Sequence, residues 1–135
     1  MNRKLSVVLA AMLLSGCSVP ITPQGVIEGH KAKRVETLTG PVEQNYIFSL
    51  QLLPKCYKSL NFANSLYAQR YEENGSKFIL LGNNIKGGTG LFEFMPSKKG
   101  NTNLIAHNKS WYDIDVELFH RYVDGIVSNN INICD

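Results

Sequence analysis

Cysteine, histidine and carboxylate side chains carry most of the chemistry open to a protein, and in this chain they are few and scattered. The cysteines are Cys17, Cys56 and Cys134, and the histidines are His30, His107 and His120. Glu117 and His120 stand three residues apart, the spacing at which a helix presents two ligands to one metal ion. A di-metal site of that kind needs two such units and two further glutamates. Only one unit occurs, so a solvated helix face is the better reading, and no metal or other cofactor is expected. Glu93 and the carboxylates of the last predicted helix have no spacing that would bring them together as an acid/base pair. The glycine-rich stretch Gly82 to Gly90 lacks the Gly-Lys-Ser/Thr ending of a phosphate loop and leads into no helix. No Gly-x-Ser-x-Gly elbow is present. The residue types argue against an enzyme.

One cysteine does sit in a context that specifies chemistry. Arg3 and Lys4 precede an apolar run from Leu5 to Leu14, and Ser15 and Gly16 then lead to Cys17. A basic front, a short apolar middle and small residues at the cut make an export signal. The run is about ten residues long, half of the roughly 20 that a spanning helix needs. The motif Leu14-Ser15-Gly16-Cys17 resembles the lipobox of bacterial lipoproteins. That resemblance implies that residues 1–16 are a signal peptide, that the Cys17 thiol takes a diacylglycerol, and that the new amine is acylated. The membrane is then a partner through the N-terminal lipid. Each buried methylene adds about 0.8 kcal/mol, so three acyl chains would make release negligible. By the same resemblance, Ser18 after the cysteine, where an Asp would signal retention in the inner membrane, implies the outer membrane, facing the periplasm.

With Cys17 assigned to lipid, Cys56 and Cys134 remain as an even pair in an exported chain. An oxidising compartment favours a disulfide between them. Beyond the signal the formal charge falls from +3 to +1, twelve basic residues against eleven acidic. That is no footprint for nucleic acid, which needs a clustered basic face. The runs Lys98-Lys99 and Lys31-Ala32-Lys33-Arg34 read as solvated surface, the second with a lipid-headgroup contact as its sharper reading.

The elements that must position these groups fit one small domain. Residues 17–32 hold Pro20, Pro23, Gly25 and Gly29 and read as a flexible tether; residues 33–135 read as a single domain. Arg34 to Thr39 is expected as a short first strand. Tyr46, Ile47, Leu50, Leu53 and Tyr57 recur at helical spacing, with Pro54 expected to bend or break the helix just before Cys56. Asn74-Gly75, Gly87-Gly88-Thr89-Gly90 and Ser97 to Asn101 are turn signals, and the short apolar runs between them behave as strands. Phe62 to Tyr71 fits either helix or strand, and the Asn-Gly turn favours strand. Ser110-Trp111-Tyr112-Asp113 resembles a capping box opening a helix to about Val127, with a stripe of Ile114, Leu118, Tyr122 and Ile126 widened by Phe119 and Val123.

The expected fold is α+β: an antiparallel meander of about four to five strands packed against two helices, in a helix-grip-like arrangement. Cys17, Asn45-Tyr46 through Cys56-Tyr57, Leu91-Phe92-Glu93-Phe94, and Arg121 to Gly125 through Cys134 together resemble small lipoproteins of the Gram-negative envelope. That resemblance implies an envelope address and no particular activity. The expectation is a non-catalytic role through contact with another envelope protein. The alternative is a module for a small hydrophobic or lipid-like ligand, held in a pocket between the sheet and the C-terminal helix.

Overall fold

A computed structural model describes residues 22–58, 67–83, 87–109 and 113–135. The signal, Cys17, Ser18, the start of the Phe62–Tyr71 stretch and the cap at Ser110 to Tyr112 lie outside the described residues. Five strands form an open antiparallel sheet in the order β1-β5-β4-β3-β2. They are β1 (Ala32–Leu38), β2 (Tyr67–Glu73), β3 (Ser76–Asn83), β4 (Gly87–Pro96) and β5 (Thr102–Asn108). Among the described residues the helices are α1 (Pro23–Glu28), α2 (Val42–Cys56) and α3 (Asp113–Ser128). The class is α+β, as expected, with a meander of β2 to β5 and with β1 added at its edge against β5.

Local chemistry accounts for the turns. Asn74 at φ 52° and Gly75 at φ 79° join Glu73 to its register partner Ser76, the two-residue hairpin that an Asn-Gly pair favours. The β4–β5 turn is a single 3-10 turn, with Lys99 at φ 60° and Gly100 at φ 73°. Gly87 to Gly90, expected as a turn, belongs to strand β4 instead. The register shifts between Leu81 and Gly82 opposite these glycines, so they serve an irregularity in the ladder.

Side chains alternate across the sheet and sort the two faces. Ile79, Leu81, Phe92, Phe94, Leu104 and Ala106 point to the face covered by α2 and α3, where they form the main core. Leu80 and Leu91 point to the opposite face, where α1 covers them. This third helix replaces much of the expected tether. Thr22 caps it, its hydroxyl accepting from the Gly25 N–H at 3.1 Å, and Pro23 opens the first turn. Six residues are too few to hold a helix alone; the complete burial of Val26 against Leu80 and Leu91 supplies the rest.

Helix α2 runs through Pro54 and ends at Cys56, so the expected break falls two residues later. A proline this close to the end leaves few helical hydrogen bonds beyond it to disturb. Its buried stripe is Ser49, Leu52, Leu53 and Cys56, rotated from the expected one, and Ile47 is left exposed. The rotation follows from α3, which packs beside it. Tyr122 of α3 is fully buried and donates its hydroxyl to the Ser49 carbonyl at 2.8 Å. Of the stripe expected on α3, Phe119, Tyr122, Val123 and Ile126 are buried and Leu118 is half-buried, while the Ile114 side chain lies outside the described residues. At the other end of α2, the two N–H groups of the Asn45 amide are shared among the Thr39, Gly40 and Pro41 carbonyls and the Thr102 hydroxyl, all 3.1–3.2 Å from its Nδ2. That clamps the β1–α2 turn to the start of β5.

Gly125 marks the closest approach of α3 to its surroundings. A Cβ there would lie 2.7 Å from Leu52 Cδ2 and 2.6 Å from Ile133 Cγ2. In an exposed helix Gly→Ala would gain about 1 kcal/mol, but overpacking a core costs about 1–3 kcal/mol. Gly125→Ala is therefore expected to lower the melting temperature by a few degrees. A thermal melt that rises instead would show that α2 and the tail yield freely.

Candidate functional site

The sequence singled out two kinds of residue for chemistry, cysteines and histidines, and the fold brings members of each together. Cys56 at the end of α2 and Cys134 in the tail after α3 form a disulfide, with an S–S distance of 2.05 Å and Cα atoms 5.1 Å apart. Both helices cover the same face of the sheet, as the bond requires. The Lys55 ammonium and the Asp135 carboxylate lie 3.4 Å apart beside it. The Tyr57 ring meets Tyr122 edge-on with centroids 5.5 Å apart, and Tyr122 meets Phe92 in the same way at 5.0 Å. The tyrosines of this end thus fill the core.

On the opposite face, His30 at the end of α1 meets His107 of β5 with ring centroids 5.5 Å apart. The His30 Nδ1 lies 2.7 Å from the Ile27 carbonyl, a bond that ties the ring to its own helix. His107 is buried, and its Nδ1 has no hydrogen-bond partner among the described residues. Burial first, then the neighbouring charges of Lys33 and His30, hold its pKa below the ordinary histidine value. Lys33 is the register partner of His107 on the adjacent strand. Glu93, two along β4 from Leu91, is half-buried; burial raises its pKa, and Lys33 opposes that rise.

A third place is a shallow, open groove of roughly 350 Å³ between the start of α2 and two hairpin turns, with Pro41, Val42, Gly75 and Pro96 among its walls. Lys77 crosses its rim, ion-paired with Glu43 and 5.1 Å from the centre of the Tyr46 ring.

Glu117 is exposed on α3, while His120 is half-buried with its ring against Phe119 and its carbonyl accepting from Arg34 at 3.1 Å. Among the described residues no three His, Cys, Asp or Glu side chains converge as a metal set. Arg34 turns away from its basic neighbours to pair with Glu36 at 2.8 Å and with Asp124 of α3 at 2.6 Å. No protein-family model and no curated protein matches the chain.

Sequence reasoning does not reach the His30–His107 contact, because the prolines and glycines of residues 17–32 favour a tether. The signal for α1 was present in Thr22-Pro23, a cap residue followed by a helix-opening proline, with Gly29 at the end.

Closing a loop of 78 residues should contribute about 4.5 kcal/mol to stability on the chain-entropy model. Reduction is expected to lower the melting temperature by more than ~10 °C. An unchanged melting temperature with and without reductant would mean that the tail adds nothing to the fold. His107, buried in its neutral form, contributes stability that is complete above about pH 6.5, its unfolded value. That contribution is lost as the pH falls from there through the depressed folded value, because the unfolded chain then binds the extra proton. His107→Gln should therefore reduce the drop in melting temperature between pH 7.5 and pH 5.5; an equal drop in both proteins would overturn the assignment.

Proposed function

We propose that this chain is a lipid-anchored lipoprotein of the bacterial envelope that acts by contact with another envelope protein and not by catalysis. The observation that carries the reading is the run from Arg3 to Cys17, in which charge, apolar length and box agree with one another. The Cys56–Cys134 bond supports it, since such bonds persist in exported proteins. Ser18 after the box supports the outer membrane as the address.

The packing favours contact over a ligand held beneath α3. Phe92, Phe119 and Tyr122 are fully buried between the sheet and the helix, and they occupy the space a pocket there would use. Among the described residues no helix is long and apolar enough to cross a membrane.

In cells fed a palmitate analogue, the wild type should be labelled and Cys17→Ala should remain an uncut or soluble, unlabelled precursor. Equal labelling of both would sink the lipoprotein reading. Crosslinking in the intact envelope should give a discrete protein adduct, and recovery of the chain only as itself would count against a protein partner.

A further inference from the structure

The sheet face that carries α1 is also the face from which the chain leads back to Cys17. Five residues separate Cys17 from Pro23, the start of α1. Fully extended, that connection reaches at most roughly 20 Å. Helices α2 and α3, each about 10 Å across, lie on the far side of the sheet. An anchor at Cys17 would therefore keep the α1 face near the bilayer and turn the α2–α3 face away from it.

The chemistry of that face suits the position. Lys31 stands just before β1, and Lys33 follows on the strand, close enough to bear on both His107 and Glu93. Lys109, just past β5, lays its stem across the end of α1, so that a Cβ on Gly29 would sit 2.7 Å from its Cε. Val35 is 64% exposed, and its register partner Ile105 places a second apolar side chain beside it. Among the described residues the acids on this side are Glu93, which is half-buried, Glu28, which accepts from Gln24 at 2.9 Å, and Glu73, which lies away from the lysines at the β2–β3 turn. Arg34, the last of the basic run, is committed to Asp124 on the other side.

We propose that the α1 face is a membrane-contact surface, on which Lys31, Lys33 and Lys109 meet the phosphates of anionic phospholipid headgroups and Val35 and Ile105 rest at the interface. The short leash is what selects lipid over a diffusing partner. A patch held within ~20 Å of the bilayer sees headgroups at high effective concentration, so a modest contact is enough to orient the domain. The proposal takes its anchor from the lipoprotein reading, but the surface itself belongs to the fold.

The test supplies the anchor chemically. The chain from Cys17 to Asp135 contains every described element of the fold, and its other two cysteines are bonded to each other. Cys17 can therefore be coupled to a maleimide-headgroup lipid in nanodiscs of phosphatidylethanolamine and phosphatidylglycerol doped with a headgroup-nitroxide lipid. Amide signals of α1 and β1 should broaden at least fivefold more than those of α2 and α3. The preference should collapse in Lys31→Glu/Lys33→Glu/Lys109→Glu, in neutral phosphatidylcholine discs, and for the wild type at about 0.5 M salt. Lys98→Glu/Lys99→Glu, at the β4–β5 turn, should leave it intact. Equal broadening on both faces, or a preference insensitive to salt and to headgroup charge, would overturn the proposal. Because coupling replaces cellular lipidation, failure of palmitate labelling would remove the lipoprotein reading and leave this result standing, and the reverse holds equally.

Discussion

The disulfide between Cys56 and Cys134 is the constraint on which the rest of the arrangement turns. It joins the end of α2 to the tail beyond α3, and it can do so only if both helices cover one face of the sheet. Once they share a face they must pack on each other. The close approach at Gly125, the burial of Leu52 and the bond from Tyr122 to the Ser49 carbonyl all follow from that. The Asn45 amide and the Arg34–Asp124 pair then fix the helices to β5 and β1 at other points. The neighbouring Lys55–Asp135 pair is exposed, and pairs of that kind contribute little in water.

The two faces of the sheet came to be filled in different ways, and that difference decided what was legible. The main core is built from long, regular elements. Its strands are short apolar runs bounded by turn residues, its last helix carries a stripe from Phe119 to Ile126, and its hairpin carries an Asn-Gly pair. Each of these signals is local and repeated, so the class, the strands and the cysteine pair could be read without a structure. The second face depends on a helix of six residues whose stability comes from one buried valine. No periodicity develops over so short a length, and Pro23, Gly25 and Gly29 weigh toward a linker. With α1 unread, the His30–His107 contact was out of reach. The rotation of α2 failed for a related reason: Ile47 and Leu52 fit helical spacing equally well, and only the position of α3 chooses between them.

Chemically the faces are also unlike. One is an apolar interior closed by two helices and a covalent bond. The other holds a small apolar contact under α1, ringed by lysines, two histidines and a half-buried glutamate. The groups that titrate away from their ordinary values on this side are His107 and Glu93, and burial is the leading cause for both. The charge state of His107 is thus tied to the seating of α1, whose end brings His30 against its ring.

The pairing of β1 with β5, rather than with the strand that follows it in sequence, has a kinetic meaning. Val35 finds Ile105 across some 70 residues of intervening chain. A chain emerging from its N-terminus makes β1 early but cannot satisfy its edge until β5 arrives, and α2 cannot be pinned until Cys134 does. Contacts this distant in sequence slow the search for the native state. During that interval the exposed hydrogen-bonding edge of β1 is open to mispairing. The fold therefore closes late and in two steps: a chain that stops short of β5 lacks the partner of β1, and one that stops short of the tail still lacks the partner of Cys56.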